Sequence, residues 1–156
     1  MELRAELCAV EVPPERYAEL TAAAEDIVDR IADGEDVGAA IEAFNAATGH
    51  QYDAESFRLR CSDVDELVRE AAQPVPVRVP GVSREELAEV VRRIRAVEGD
   101  TDYYLGVLEA NVLDPRVSNL IFWPKPGFEN ATDLQIVDEA LRYRPFVAGA
   151  DGTVTR

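Results

Sequence analysis

Prolines at the middle of the chain limit how it can fold. Pro74, Pro76 and Pro80 are interleaved with valines. Proline lacks the backbone N–H that a helix interior or a central strand needs, so this segment is restricted to an extended linker or an edge strand. The sequence therefore predicts a boundary between two halves. The expected parts are an acidic α-rich module over 1–73, the Pro/Val linker or edge strand over 74–82, a domain over 83–148 and a mobile tail over 149–156.

The first half predicts helices with one or two short strands. Apolar and charged residues alternate over 2–12, which is typical of a strand, and an edge strand in the Pro/Val segment would pair with it. From Glu15 the apolar spacing becomes that of an amphipathic helix, which Gly34 ends, and Gly49 ends a second helix. No internal repeat is visible. The acidic residues placed to cap two further short helices are Asp53 and Asp63.

Two capping boxes mark the first and last helices of the second half. Ser83 with Glu86, and Thr132 with Gln135, have the spacing at which each side chain accepts a hydrogen bond from the other residue's backbone N–H. A second ordinary helix and one short helix lie between them, so this half predicts a four-helix domain. The expected limits are Gly99 for the end of the first helix, Asp100 or Thr101 for the start of the second, and Pro145 for the end of the last.

The chain's only tryptophan lies in a short apolar run between Pro115 and Pro124. Ser118 is placed to cap a helix of about one to two turns there. Such a helix cannot bury four large side chains in one direction. We expect Leu120–Ile121 to face a core and Phe122–Trp123 to lie wholly or partly toward solvent. The aromatic pair either covers a small core or anchors a protein partner, and the pattern leaves both interpretations open.

The net charge of −15 restricts the kinds of partner. It argues against direct binding of nucleic acid or an anionic membrane and suits a basic protein. The acidity is uneven, because residues 1–80 hold 18 acids and 7 bases and residues 81–156 hold 13 and 9. The same charge also serves solubility. No apolar run predicts a membrane span and no signal segment is visible at the N-terminus, so we expect a cytoplasmic protein.

Residues that would support catalysis are sparse. The single histidine, His50, follows a helix end, and neither Cys8 nor Cys61 has a histidine nearby in sequence. The acidic clusters lack the spacing of a calcium loop, and no glycine-rich phosphate loop is present. We therefore predict no enzymatic activity, no catalytic residue, no cofactor and no metal. The two cysteines are expected to be reduced and structural.

The helix before the aromatic run supplies further candidates for a binding surface. Asp102, Tyr103 and Glu109 are expected on or near its exposed side. With Asn119 and the Phe122–Trp123 pair, they would form one patch with aromatic anchors at its centre and acids at its rim. The acids would speed encounter with a basic partner, and the aromatics would supply affinity.

Residues 83–145 resemble the bacteriocin immunity proteins that neutralise colicin- and pyocin-type nuclease toxins. The resemblance rests on the helix order and on the sequence Pro-Arg-Val-Ser-Asn-Leu-Ile-Phe-Trp-Pro at 115–124. It implies a small cytoplasmic four-helix protein without catalytic activity, which binds a nuclease domain beside its active site and excludes DNA by bulk and negative charge. The short third helix would supply the shared binding energy, and the second helix would select the toxin.

This resemblance also implies which residues touch the toxin. The family usually has histidine before the first proline, aspartate after the serine and two tyrosines, where this chain has Asp114, Asn119, Phe122 and Trp123. An interaction adaptor that keeps the fold but binds another protein is the alternative function. Residues 1–80 are outside the resemblance and would be a recognition domain, a second immunity-like unit or an unrelated module. The implied contacts are Asp102, Leu105, Glu109, Ser118, Asn119, Phe122, Trp123 and Pro124.

Overall fold

A computed structural model describes residues 2–144, 147–148 and 154–155. Over these residues the chain forms eight α-helices, a 3-10 helix and two very short strands, so the fold is mostly α, as predicted. No helix among them is long and apolar enough to cross a membrane. The elements are the 3-10 helix Ala5–Leu7, α1 Pro14–Ala32, α2 Gly38–Thr48, α3 Ala54–Leu59, α4 Val64–Ala72, α5 Arg84–Arg95, α6 Thr101–Asn111, α7 Val117–Phe122, α8 Asp133–Leu141, β1 Val147–Ala148 and β2 Val154–Thr155.

The chain divides into two compact units that do not coincide with its two halves. The N-terminal unit is Ala9–Val75, and the C-terminal unit combines Met1–Cys8 with Pro76–Arg156. Arg4 holds the first residues in the C-terminal unit, because its guanidinium donates to Glu86 at 2.8 and 2.9 Å and to the Gly81 carbonyl at 2.9 Å. The first unit is therefore inserted into the sequence of the second.

In the N-terminal unit, α1 packs against each of α2, α3 and α4. Phe57 on α3 is fully buried and meets the ring of Phe44 edge to face at 5.5 Å between centroids. The buried side chain of Gln73 joins the two ends of the unit. Its amide accepts from the Val10 N–H at 2.8 Å and donates to the Val10 carbonyl at 2.9 Å, as a neighbouring strand would.

In the C-terminal unit, α5 is the central helix and packs against both α6 and α8. The short α7 packs against α6 and α8. The core consists of apolar side chains from all four helices. Its fully buried members include Val90, Val91, Ile94, Val107, Leu108, Val117 and Val137.

The two units contain the same series of helices, although no repeat is visible in the sequence. In each, a long first helix is followed by helices of 11, 6 and 9 residues. The end of the first helix, the whole second helix and the whole third helix recur 63 residues later, and the fourth helix recurs 69 residues later. The six additional residues lie in the connection between the third and fourth helices of the C-terminal unit.

The first helices of the two units also end in the same way. Gly34 and Val97, 63 residues apart, both have positive φ, at 75° and 53°. Each donates its N–H to the carbonyl three residues back, and the following glutamate donates to the carbonyl five residues back, which is a Schellman motif. Identical residues at this spacing include Val28 and Val91, Arg30 and Arg93, Ile31 and Ile94, and Glu35 and Glu98.

The strand predicted over 2–12 is wrong, because residues 5–7 form a 3-10 helix. Leu3 and Leu7, four residues apart, are the buried side chains of this segment, while Ala5 between them is exposed. Their spacing is that of one helical turn, so the apparent alternation depended on small alanines that do not face a core. The expected pairing with an edge strand is therefore also absent from the described residues.

The Pro/Val segment contains no strand, and part of it is fixed to α6. Asn111 accepts from the Val79 N–H at 2.8 Å and donates to the Val77 carbonyl at 3.2 Å. Pro76 packs against Gly106, where an added Cβ would lie 2.8 Å from the proline Cγ. Proline deprives the segment of the N–H groups that a ladder needs, and an asparagine side chain supplies its partners instead.

Four of the predicted side-chain caps are confirmed. Asp53, Asp63, Ser83 and Thr132 each accept from the backbone N–H three residues later. The start of α6 is also settled, because Asp100 is its N-cap. Pro145 and the tail predicted over 149–156 lie outside the described residues, except for Val154–Thr155, which pairs antiparallel with Val147–Ala148.

Candidate functional site

The second helix of the C-terminal unit supplies three of the predicted contact residues. Asp102, Leu105 and Glu109 lie three and four residues apart on α6 and therefore share one face. Both acids are exposed and Leu105 is half-buried. The face is therefore polar at its ends, with an apolar side chain between them.

The prediction that Tyr103 lies on this exposed side is wrong. Its side chain is 7% exposed, and its ring packs edge to face on Tyr104 at 5.7 Å. Burial raises the pKa of the Tyr103 hydroxyl, and nearby acidic groups add to this effect. Two adjacent tyrosines point 100° apart on a helix, and α6 packs against both α5 and α7, so each ring reaches the interior.

The short helix α7 begins differently from the expectation. Arg116, not Ser118, is its N-cap residue and makes no side-chain cap. The Asp114 carboxylate accepts instead from the Arg116 N–H at 2.9 Å, which fixes the turn before the helix. Ser118 is half-buried inside α7, and Asn119 is exposed on it. A residue before a proline is biased toward an extended conformation, and Asp114 in that position is free to cap.

Phe122 and Trp123 lie at the end of α7 and are largely exposed. Phe122 is 47% exposed and Trp123 is 69% exposed. The helix is held from its other side by the fully buried Val117, with Leu120 and Ile121 half-buried. The Trp123 N–H still donates to the Asn119 carbonyl at 2.9 Å, so the backbone of the aromatic pair is fixed. Most of Trp123 therefore faces solvent, whereas Phe122 is about half-buried.

The connection after Trp123 is fixed to α8. Beyond the exposed Pro124, the Lys125 ammonium lies 4.8 Å from the centre of the Phe128 ring and 2.6 Å from the Glu139 carboxylate. The lysine charge holds the pKa of Glu139 below its usual range. The segment that follows the aromatic pair is thus restrained by the side-chain contacts of Lys125.

A cluster of charges positions α6 on α5. Glu89 is buried and accepts from Arg92 at 2.7 Å and from Arg93 at 2.8 Å. These arginines lower the pKa of Glu89 to about 2. Arg93 also donates to the Tyr104 hydroxyl at 2.8 Å, so the cluster reaches across to α6.

One exposed apolar residue beside this surface was not predicted. Leu113 is 60% exposed and immediately precedes Asp114. Val112 is extended, with φ −126° and ψ 154°, and is buried. Successive side chains of an extended segment point in opposite directions, so Leu113 points outward. The alternation of buried and exposed side chains after the end of α6 is the signal that identifies Leu113 as exposed.

Helices α6 and α7, which carry or adjoin these residues, pack against each other in one unit. We define the aromatic patch as Phe122, Trp123 and Pro124 with Asn119 on α7, and Asp102, Leu105 and Glu109 on α6. Over the described residues, no group of three or more histidines, cysteines and acids has a geometry that would hold a metal ion. No family model, curated protein or solved structure matches this chain.

Proposed function

We propose that the C-terminal unit is an immunity protein, which binds a basic toxin domain through the aromatic patch and blocks it without catalysis. The observation that supports this most directly is the exposure of Trp123 and Phe122 on a fixed backbone. Tryptophan is among the residues most enriched at the energetic centres of protein interfaces. A rigid aromatic pair loses little conformational entropy when a partner covers it.

The charge of the surface supports a basic partner. Asp102 and Glu109 are exposed on the helix against which α7 packs, and the whole chain carries a net charge of −15. Such a field accelerates encounter with a positively charged domain. A nuclease domain has this character because it binds a phosphate backbone. The bound acidic chain would then repel nucleic acid from the same region.

The test combines capture with inhibition of the captured protein. The full chain and a Phe122→Ala/Trp123→Ala variant are used to capture proteins from a lysate of the source cell. We expect the unchanged chain alone to retain a basic protein. After purification, that protein should cleave nucleic acid, and an equimolar amount of the full chain should stop the cleavage.

A matched control distinguishes binding through the aromatic patch from nonspecific hydrophobic binding. Leu59→Ala also removes a large exposed apolar side chain, but in the N-terminal unit, and it should leave capture unchanged. A partner that the double variant retains, or one whose cleavage continues when the chain is bound, contradicts the proposal. A captured partner without toxic activity would instead support the adaptor function.

A further inference from the structure

The N-terminal unit contains a groove that has no role in the proposed function. It has a volume of about 630 Å³ and lies between the α1–α2 connection and the start of α3. Its apolar lining includes Ile31, Val37, Ile41 and Tyr52. The volume is within the range of about 300–1,000 Å³ that ligand sites usually have.

The recurrence of the helices gives residues that line the groove counterparts in the C-terminal unit. Position 41 in the N-terminal unit corresponds to Tyr104 in the C-terminal unit, 63 residues later in the second helix. The Tyr104 ring is buried, and its edge lies against Gly99, where an added Cβ would be 3.4 Å away. Position 99 corresponds to Asp36, which lines the groove. Ile41 thus occupies the position at which the C-terminal unit has Tyr104, whose ring packs against the connection between the first and second helices.

The cation that contacts the Tyr104 ring also has a counterpart. Arg93 lies 5.4 Å from the centre of that ring and donates to its hydroxyl. The corresponding Arg30 donates to the Asp36 carbonyl at 3.2 Å, beside the groove. Arg30 does not line the groove itself and lies 3.8 Å from the Glu35 carboxylate, so an incoming ring would have a guanidinium nearby, as Tyr104 has Arg93.

The rim of the groove is acidic. Glu35, Asp36 and Asp53 are exposed carboxylates among the lining residues, and Arg58, which also lines it, is ion-paired with Glu55. The N-terminal unit holds 16 acids and 5 bases, so its net charge is −11. This charge favours a positively charged partner over an anionic one.

We propose that this groove is a second protein-binding site, which takes an aromatic side chain presented by a basic segment of a partner protein. The ring would fill the space beside Ile41 that corresponds to Tyr104, and lysines or arginines next to it would face the acidic rim. The site lies wholly within the N-terminal unit and does not depend on the aromatic patch.

The test is a titration of the full ¹⁵N-labelled chain with a short basic peptide, in which the amide chemical shifts are measured by NMR. The probe is acetyl-Lys-Tyr-Lys-amide, and acetyl-Lys-Ala-Lys-amide is its control. We expect saturable shifts at Gly34, Gly38, Ile41 and Ala54 with the tyrosine peptide, with a dissociation constant on the order of 1 mM. Equal shifts with the alanine peptide, shifts elsewhere only, or none at about 10 mM peptide would overturn the proposal.

Two variants locate the binding. Ile41→Tyr should fill the groove from within and weaken binding of the tyrosine peptide at least about tenfold. Ala46→Tyr, on the exposed surface of the same helix, should leave this binding unchanged. Should Ile41→Tyr fail to fold, Glu35→Lys inverts one rim charge and should weaken binding severalfold, whereas Glu25→Lys on α1 should not. Unchanged binding by Glu35→Lys and by a folded Ile41→Tyr refutes the site. The Phe122→Ala/Trp123→Ala variant should bind the peptide normally, so this result is independent of the proposed function.

Discussion

At the residue scale, Val97 shows how a local conformation can be imposed on an unsuitable side chain. Its φ of 53° lies in the left-handed region, which costs a non-glycine residue about 1–2 kcal/mol, and most for a β-branched one. Gly34 occupies the corresponding place in the N-terminal unit. The two Schellman motifs are otherwise the same, so the pair isolates the effect of the side chain.

We predict that Val97→Gly stabilises the protein by about 1 kcal/mol, because it removes this strain and Val97 is 75% exposed, so little burial is lost. Denaturant unfolding followed by circular dichroism measures the change. Gly34→Val, where no atom lies within 4 Å of an added Cβ, should destabilise by a similar amount. A loss of stability in Val97→Gly would show that the valine makes a contact that outweighs its backbone strain.

At the element scale, the close approach of Pro76 to α6 requires a glycine. We predict that Gly106→Ala destabilises the C-terminal unit by about 1–3 kcal/mol, although alanine favours helices, because its Cβ would lie 2.8 Å from the rigid proline ring. Thermal unfolding measures the effect. Adding Pro76→Ala should recover part of the loss, whereas purely additive effects in the double variant would refute the clash.

The Trp123 side chain at the end of α7 should contribute to binding but little to the stability of the fold. We predict that Trp123→Ala changes the free energy of unfolding by less than about 0.5 kcal/mol, since most of the ring is already in water. The same substitution should weaken partner binding by more than about 2 kcal/mol. As the only tryptophan, Trp123 also supplies a direct signal: its fluorescence should shift to shorter wavelength on binding. A partner bound with unchanged emission would place the interface elsewhere.

Local signals predicted the helices well but not the strands, and the remaining features depend on contacts between residues distant in sequence. The caps at Asp53, Ser83 and Thr132 depend on neighbours three residues away, so the sequence contains them completely. The exposed aromatic pair followed from the shortness of its helix. Burial of Tyr103 depends on the packing of α6, which periodicity does not reveal. The recurring helices were missed because few residues are identical and six extra residues interrupt the second copy.

At the scale of the whole molecule, two carboxylates link stability to pH. Their arginine neighbours lower the pKa of Glu86 and of Glu89 to about 2, from 4.5. The unfolded chain takes up these protons first as the pH falls. Stability from these pairs is therefore fully present above about pH 4.5 and is lost as the pH falls toward 2.

We predict that Glu89→Gln flattens this acid dependence. Unfolding free energies measured by urea denaturation between pH 5 and about 2 should fall less steeply in the variant than in the unchanged chain. Glu55→Gln, which removes an exposed carboxylate from the N-terminal unit, is the control and should retain the steep fall. Identical slopes for all three proteins would show that Glu89 does not contribute to the acid transition.

Net charge should control how quickly the captured partner binds. We predict that the association rate constant falls by about tenfold or more as salt is raised from low to high concentration, while the dissociation rate constant changes little. Stopped-flow measurements of Trp123 fluorescence would provide both constants. An association rate that does not depend on salt would separate the acidity of this chain from partner recognition.

The amide of Gln73 has a consequence for engineering. By pairing with both backbone groups of Val10, it holds the entry and exit of residues 9–75 side by side. A module whose ends meet can be transplanted into a surface loop of an unrelated host without pulling that loop apart. The segment is therefore suited to insertion into other proteins as an acidic module, with the Gln73 side chain holding its two ends together.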